Sequence, residues 1–303
     1  MKKYYLLLLF VTSWINGQVI SFTDVNFKNK LLASSTSTTN IIAKDIYGFP
    51  LKIDANSNGE IEQSEASAVY YLNVRNSNIH SLIGLQFFTN LKVLFCDYNP
   101  LLTSLNTSGL TELQKLFAGA CNLESVNLSS SSNIEILDIS GNNLAALNVS
   151  NMLFLKELTF SDNNITTIDL VGLTNLTHLT SDFNLLTSLT VNNLINLERL
   201  TCSNNLLSEL NISNLSNLEF LRFGNPNLNP VNVSLLTNLK WLYFKGGMQT
   251  SIDISNLSNL ISADFRNSNF IELDASNNIN LTTFTIEGDD TVEYLNLKNG
   301  NPG

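Results

Sequence analysis

A repeat of about 21 residues occupies most of this 303-residue chain and constrains the fold more than any other feature. One copy reads Leu158-Thr-Phe160-Ser-Asp-Asn163-Asn-Ile165. The first apolar position of each copy falls at Leu72, Leu94, Leu116, Leu137, Leu158, Leu179, Leu200, Leu221, Leu242, Ala263 and Phe284. A repeat of fixed length indicates a stack of similar units, because one unit cannot bury its own apolar side and must pack against its neighbours.

Each copy begins with a short predicted strand. A second apolar or small residue follows the first after two residues, and this alternation places both side chains on one face of an extended segment. The second positions are Val74, Cys96, Ala118, Ile139, Phe160, Ser181, Cys202, Phe223, Phe244, Phe265 and Ile286. We therefore predict one buried strand face in every copy.

A slot that often holds asparagine lies five residues after the first apolar position. An inward asparagine can pair backbone groups at a turn, which would otherwise be buried without a partner at a cost of about 1–3 kcal/mol each. The slot holds Asn99, Asn142, Asn163, Asn184 and Asn205, and in the other copies Ser77, Cys121, Pro226, Gly247, Ser268 and Asp289. Together with the strand positions, this is the L-x-L-x-x-N/C-x-L signature of leucine-rich repeats.

The signature predicts an α/β-type solenoid, a leucine-rich-repeat horseshoe that is mostly β and has a small helical cap. We expect the strands of successive copies to pair in parallel on the concave face, about 4.8 Å apart. A second apolar segment in each copy, such as Ile168-Asp-Leu170, returns the chain along the opposite side. These returns are too short for long helices, so we expect extended or 3₁₀ backbone there.

Residues 1–17 have the pattern of a secretory signal peptide. Lys2 and Lys3 precede an apolar run from Leu6 to Val11, and Asn16-Gly17 is a small-residue cleavage site before Gln18. The run is too short to cross a membrane, which takes roughly 18 apolar residues or more, and no other segment approaches that length. The alternative is a buried first strand or helix.

Residues 18–68 precede the repeat domain, residues 69–303, and have the features of an N-terminal cap. Asp24 can cap a helix that runs through Phe27 and Leu31. A solenoid needs such a cap because its first coil would otherwise expose its core. We expect about eleven repeats in the domain and no cap at its C-terminal end.

A calcium-loop pattern lies inside the cap. The stretch from Asp54 to Glu65 matches D-x-[DN]-x-[DN]-G-x₅-E at every fixed position, and an exiting helix is expected from Glu65 to Val69. The alternative is a polar turn that uses Gly59 for its conformation alone. Two asparagines reduce the charge of the site, so modest affinity for Ca²⁺ and a structural role are expected. The predicted ligands are Asp54, Asn56, Asn58, Glu60, Glu62 and Glu65.

Composition limits the expected partners. The formal net charge of −10 disfavours nucleic acid and anionic membranes, and we expect a monomer without membrane insertion. Three cysteines do not make a disulfide framework. Cys96 and Cys202 hold inward strand positions and Cys121 holds the asparagine slot, which predicts buried, reduced thiols.

The cap and the repeats together resemble a known family. The segment Phe22-Thr-Asp-Val-Asn-Phe-Lys-Asn-Lys-Leu-Leu32, the loop from Asp54 to Glu65 and the repeat Leu197-Glu-Arg-Leu-Thr-Cys-Ser-Asn-Asn-Leu206 are similar to secreted bacterial leucine-rich-repeat proteins. Many of those carry a C-terminal type IX secretion sorting domain. Repeats with cysteine at the second strand position also resemble those of internalin J-like surface adhesins. The resemblance implies the fold and an extracellular or cell-surface location.

Outward strand positions in copies seven to ten form the candidate binding site. Most outward positions elsewhere are small and polar, whereas these combine aromatic and basic residues, the usual composition of binding hot spots. The alternative is a scatter of ordinary surface residues. Phe95, Tyr98 and Phe117 form a second, smaller aromatic group. The candidate residues, here named the C-terminal patch, are Arg199, Phe220, Arg222, Trp241, Tyr243, Lys245 and Arg266.

Two hypotheses about function follow. The first is a secreted or cell-surface recognition or adhesion protein that binds a protein or glycan through its concave face. The second is a structural extracellular or surface component without a defined ligand, or a non-catalytic module of a longer protein. Catalysis is not expected, since the sequence has no nucleophile motif, phosphate loop or zinc spacing. The one proton-transfer arrangement to consider is His178 with Glu157 and Asp182.

Overall fold

The computed structural model describes residues 17–287 and 292–298. The predicted signal peptide, apart from Gly17, lies outside the described residues, as does Asp289 of the asparagine slot. No helix among the described residues is long and apolar enough to cross a membrane.

The structure is a stack of short coils, each contributing one strand to a long sheet. In chain order the strands are β1 (Ala43–Lys44), β2 (Tyr71–Asn73), β3 (Val93–Phe95), β4 (Ser104–Asn106), β5 (Lys115–Phe117), β6 (Ser125–Asn127), β7 (Ile136–Asp138), β8 (Glu157–Thr159), β9 (His178–Thr180), β10 (Arg199–Thr201), β11 (Phe220–Phe223), β12 (Trp241–Phe244), β13 (Ser262–Asp264), β14 (Glu272–Asp274), β15 (Thr283–Thr285) and β16 (Tyr294–Asn296).

The main sheet has twelve strands in the order β1-β2-β3-β5-β7-β8-β9-β10-β11-β12-β13-β15. From β2 onward all pairs are parallel, and the register joins the first apolar position of one copy to that of the next, as in Leu200 with Leu221. These leucines and the second strand positions form a continuous core along the stack. The predicted mostly-β leucine-rich-repeat horseshoe is confirmed.

The asparagine slot ties neighbouring coils together. The Nδ2 of Asn163 donates to the carbonyl oxygens of Ile139 and Phe160, at 3.0 and 3.1 Å, and its Oδ1 accepts from the N–H of Leu144 at 3.0 Å. Two of these partners belong to the preceding coil. Each amide therefore satisfies buried backbone groups on both sides of a coil interface, as the sequence predicted.

Two copies use a different residue for the same purpose. Pro226 and Gly247 occupy the slot by sequence, and neither has a side-chain amide. The Oδ1 of Asn225 instead accepts from the N–H of Asn205 at 2.7 Å. The Oε1 of Gln249 accepts from the N–H of Val231 at 2.9 Å. A neighbouring amide therefore compensates in each of these copies.

The return side of the stack contains extended segments and one described 3₁₀ turn. β4 pairs with β6 and β14 pairs with β16, both in parallel. The 3₁₀ turn spans Leu85–Phe87. The short returns leave no room for longer helices in this part of the chain, as predicted.

The cap covers one end of the main sheet. Helix α1 (Val25–Leu32) begins after Asp24, whose Oδ1 accepts from the N–H of Phe27 at 2.9 Å. The antiparallel pairing of β1 with β2 was not predicted, and it covers backbone groups at the sheet edge. Helix α2 (Gln63–Ala66) is a single turn that begins earlier than the predicted Glu65–Val69, because Glu62 is extended and serves as the N-cap residue.

The three cysteines are free thiols, as predicted. Cys96 and Cys202 are buried, and burial raises the pKa of the Cys202 thiol far above its ordinary value. Cys121 is half-buried, and its Sγ lies 3.4 Å from the carbonyl oxygen of Cys96. They act as small core residues rather than as reactive groups.

Candidate ligand-binding face

Parallel pairing places five residues of the C-terminal patch on adjacent strands, and Lys245 and Arg266 follow the ends of β12 and β13. Arg199, Phe220 and Trp241 are direct neighbours across β10, β11 and β12, and Arg222 lies beside Tyr243. All five side chains point away from the core, because the buried leucines alternate with them.

Aromatic rings form a ridge in the middle of the patch. The ring centroid of Phe220 lies 5.3 Å from that of Tyr243 and 6.5 Å from that of Trp241. The guanidinium of Arg199 stacks over the ring of Phe220 at 3.7 Å from its centroid. Contacts of this kind stabilise the rings in one arrangement by about 0.5–1.5 kcal/mol each.

A depression of about 640 Å³ lies on one side of this ridge. The basic and aromatic residues around it are those of the predicted site, whereas Asp264 and Glu287, which also border it, were not part of that prediction. The complete lining is Ser203, Asn204, Phe220, Arg222, Phe223, Tyr243, Phe244, Lys245, Asp264, Arg266, Asn267 and Glu287.

The charged residues of this depression differ in how firmly they are paired. Arg266 contacts Asp264 at 2.6 Å between Nη2 and Oδ2. Burial would raise the pKa of Asp264, but the bonds from Arg266 outweigh it and lower the pKa. Arg222 lies 4.0 Å from Asp182, and Lys245 has no ion pair among the described residues.

A second depression, of about 320 Å³, lies on the other side of the ridge. It is lined by His178, Glu198, Arg199, Glu219, Phe220, Trp241 and Tyr243. The Nδ1 of His178 lies 2.9 Å from the Oγ1 of Thr177, and no described hydrogen bond joins the imidazole to Glu157 or Asp182. The proton-transfer arrangement considered from the sequence is therefore not assembled within the described residues.

The other aromatic group is built differently from the prediction. Phe95 and Phe117 stack at 4.5 Å, but the third ring is Tyr71, 5.5 Å from Phe95, rather than Tyr98. Tyr98 has a φ of 57°, which turns it off the strand and leaves it exposed. Tyr71, Phe95 and Phe117 are named the N-terminal strip.

The predicted calcium loop forms a compact turn that carries oxygen atoms. The carboxylate of Asp54 accepts from the N–H groups of Asn58 and Gly59, at 3.1 and 3.2 Å. The carboxylate of Glu65 accepts from the N–H groups of Ala55 and Glu62, at 2.8 and 3.0 Å. Asp54 and Glu62 are both nearly buried.

The residues of this loop fit Ca²⁺ in their chemistry, since carboxylates, amide oxygens and backbone carbonyls are the ligands that this ion prefers. Burial raises the pKa of Glu65, and so does a side-chain hydrogen bond with Glu62. Among the described residues, no group of three or more Asp, Glu, His or Cys side chains is already arranged around a metal position. Calcium binding thus stays a prediction.

Comparison with known proteins identifies the class of fold. No family model matches the chain, and no curated protein matches it in sequence. Among solved structures, the functional domain of InlJ from Listeria monocytogenes is 23% identical with a TM-score of 0.68, covering 93% of this chain and 72% of that one.

Two further solved structures share the fold. The internalin InlF from Listeria monocytogenes is 20% identical with a TM-score of 0.55, covering 90% of this chain and 95% of that chain. YopM from Yersinia enterocolitica is 23% identical with a TM-score of 0.61, covering 75% and 48%. This chain therefore has the leucine-rich-repeat fold of the internalins.

Proposed function

We propose that this chain is a secreted or cell-surface recognition protein, and that its concave face binds a protein or glycan through the C-terminal patch. The observation that carries the proposal is the aromatic ridge of Phe220, Trp241 and Tyr243, with depressions on both sides. Aromatic and arginine side chains that cluster on one surface are typical of interface hot spots.

The fold supports a binding role over a catalytic one. A leucine-rich-repeat sheet presents a long, regular concave surface whose outward residues vary without disturbing the core. The net charge of −10 opposes binding of nucleic acid. The extracellular or surface location is part of the proposal and rests on the sequence pattern of residues 1–17.

Binding to panels of glycans and cell-surface proteins tests this function. The wild-type chain is compared with a Trp241→Ala/Tyr243→Ala variant, and Tyr71→Ala/Phe117→Ala serves as a control at the other end of the same face. We expect saturable binding that weakens about 30-fold or more in the first variant, since two hot-spot aromatics are lost. The control variant should bind as the wild type does. Equal loss in both variants, or no binding at all, would favour a structural component.

We further propose that the loop from Asp54 to Glu65 binds Ca²⁺ in a structural role. When bound, the ion would neutralise carboxylates that now lie close together, and so would stabilise the cap. The supporting contacts are those of Asp54 and Glu65 with the loop backbone.

Thermal unfolding with and without calcium tests the site. Calcium should raise the Tm of the wild-type chain by a few degrees, about 1–2 kcal/mol, and have no effect on Asp54→Ala. Asp169→Ala is the control, because Asp169 accepts one backbone hydrogen bond on the return side. A wild-type Tm that does not change when calcium is added would contradict the proposal.

A further inference from the structure

The available polar groups of the C-terminal patch are mainly hydrogen-bond donors. Arg199 stacks on Phe220, and neither it nor Lys245 has an ion pair within the described residues. Arginine and lysine side chains donate hydrogen bonds and accept none. A ligand that satisfies them must therefore supply acceptors.

The patch carboxylates are largely engaged already. Asp264 accepts three hydrogen bonds from the guanidinium of Arg266, at 2.6 to 3.0 Å. Asp182, which is almost fully buried, accepts from the N–H of Ser203 at 2.6 Å. Glu287 lines the same depression and offsets one positive charge. The bonded carboxylates are thus Asp264 and Asp182, while Glu198 and Glu219 line the depression on the other side of the ridge.

Arg222 and Lys245 border the depression beside the ridge, on adjacent coils. Arg222 is half-exposed and only loosely paired, at 4.0 Å from Asp182. Between them, Gly224 adds no side chain, and a Cβ there would lie only 2.0 Å from the carbonyl oxygen of Lys245. Gly224 therefore allows the two coils to approach closely at this point, and it adds no side chain beside the two cations.

Resting on the proposed function, we infer that the ligand is an acidic peptide segment of a protein, with a carboxylate between Arg222 and Lys245 and an apolar side chain on the aromatic ridge. A neutral sugar would supply no counter-charge to Arg222 and Lys245, whereas a carboxylate does. Long polyanions are opposed by the charge of −10.

The size of the patch suits a short extended peptide. Arg199 and Lys245 are four residues apart in strand position and two strands apart across the sheet. At about 3.3 Å per residue and 4.8 Å per strand, their Cα atoms are separated by roughly 16 Å. An extended peptide of about five residues covers that distance.

Selection of a random peptide display library on the full chain tests the inference. Selected peptides should be enriched in Asp or Glu next to an aromatic or aliphatic residue. The affinity of one such synthetic peptide should fall about tenfold or more in Lys245→Glu and decrease as salt rises. Lys115→Glu makes the same charge change elsewhere on the concave face and should alter the affinity less than about twofold.

The outcomes separate the inference from the proposed function. Selected peptides that are neutral or basic but lose binding in Trp241→Ala/Tyr243→Ala would overturn the acidic ligand and keep the site. Polygalacturonate fragments that bind at the patch while no acidic peptide does would have the same meaning. Acidic peptides that bind equally to wild type and Lys245→Glu would also overturn the inference. No ligand at the patch in any assay would overturn both.

Discussion

The N-terminal strip and the C-terminal patch contain the same kinds of residues on the same concave face, yet their side chains are paired differently. In the N-terminal strip, Arg75 stacks on Phe95 at 4.6 Å and also bonds Asp97, with Nε 3.1 Å from Oδ1. Lys44 from the cap lies over the ring of Tyr71 at 4.8 Å. In the C-terminal patch, Arg199 and Lys245 lack such carboxylate partners among the described residues.

This difference shows that composition alone does not identify a binding site. At the N-terminal strip, Phe95 and Phe117 stack at an interplanar angle of 5° and Tyr71 is tilted at 53° to Phe95, and the neighbouring cations contact these rings. At the C-terminal patch the rings are tilted at 35° and 39°, and depressions flank them. The first arrangement stabilises the fold, whereas the second leaves bonding capacity for a ligand.

The largest expected effect is a loss of stability on substitution of Gly224, which lies in close backbone contact with the next coil at the C-terminal patch. Gly224→Ala should lower the free energy of unfolding by about 2–4 kcal/mol, because its φ of 157° and the closeness of the Lys245 carbonyl leave no room for a Cβ. Gly119→Ala is the matched control, in the same outward row near the N-terminal strip. Its Cβ would meet Ser140 at 3.2 Å, a contact that a small shift relieves. Urea unfolding measures both, and equal losses would contradict the prediction.

A smaller effect is expected when one arginine from each region is replaced and the two losses of unfolding free energy are compared. Arg75→Ala should cost about 1–2 kcal/mol, because Asp97 is almost fully buried and would lose its charged partner. Arg222→Ala should cost less than about 0.5 kcal/mol, since Asp182 keeps its bond from the N–H of Ser203. Urea unfolding of the two variants gives the comparison directly. A larger loss for Arg222→Ala than for Arg75→Ala would show that the ion pair of the C-terminal patch contributes more to stability than the one beside the N-terminal strip.

The smallest expected effect is the pH-dependent contribution of Asp24 to the stability of the N-terminal cap. Burial would raise the pKa of Asp24, but N–H donors from Phe27, His80 and Ser81 outweigh it and hold the pKa below its ordinary value of about 3.9. The stability from this carboxylate is present above the unfolded pKa and is lost as pH falls through the lower folded pKa. Asp24→Asn should therefore cost about 1 kcal/mol at pH 7 and less near pH 2.

Hydrogen exchange of α1 compared with β12 at pH 7 and pH 3 measures this difference by region. Acid should loosen α1 in the wild type, because Asp24 fixes the start of this helix against the turn at His80 and Ser81. Exchange in Asp24→Asn should change less between the two pH values. An α1 that is equally protected in both proteins at both pH values would contradict this role.

The strand positions and their register could be predicted from the repeat period, whereas the contacts that individual side chains make could not. The neighbours Arg199, Phe220 and Trp241 followed from the register, because every copy advances the chain by one strand. The bond of Arg75 to Asp97 depends on side-chain rotamers, which the repeat period does not determine. The same holds for Lys245, which has no ion pair among the described residues. The use of the Asn225 amide in place of a residue at the Pro226 slot is likewise a local feature that the repeat period does not predict. The pairing of β1 with β2 is a contact across 28 residues, which local patterns do not reveal.

The replaced asparagines have a mechanical consequence. Regular coils are joined by an amide that holds both its own turn and the previous one, as Asn163 does. The coils of Pro226 and Gly247 substitute amides from other positions, and these two coils also carry Phe220, Trp241 and Tyr243. The joins between coils at the patch therefore depend on amides that lie one or two residues from the standard slot. A substitution of Asn225 or Gln249 would remove a tie that Pro226 or Gly247 cannot replace.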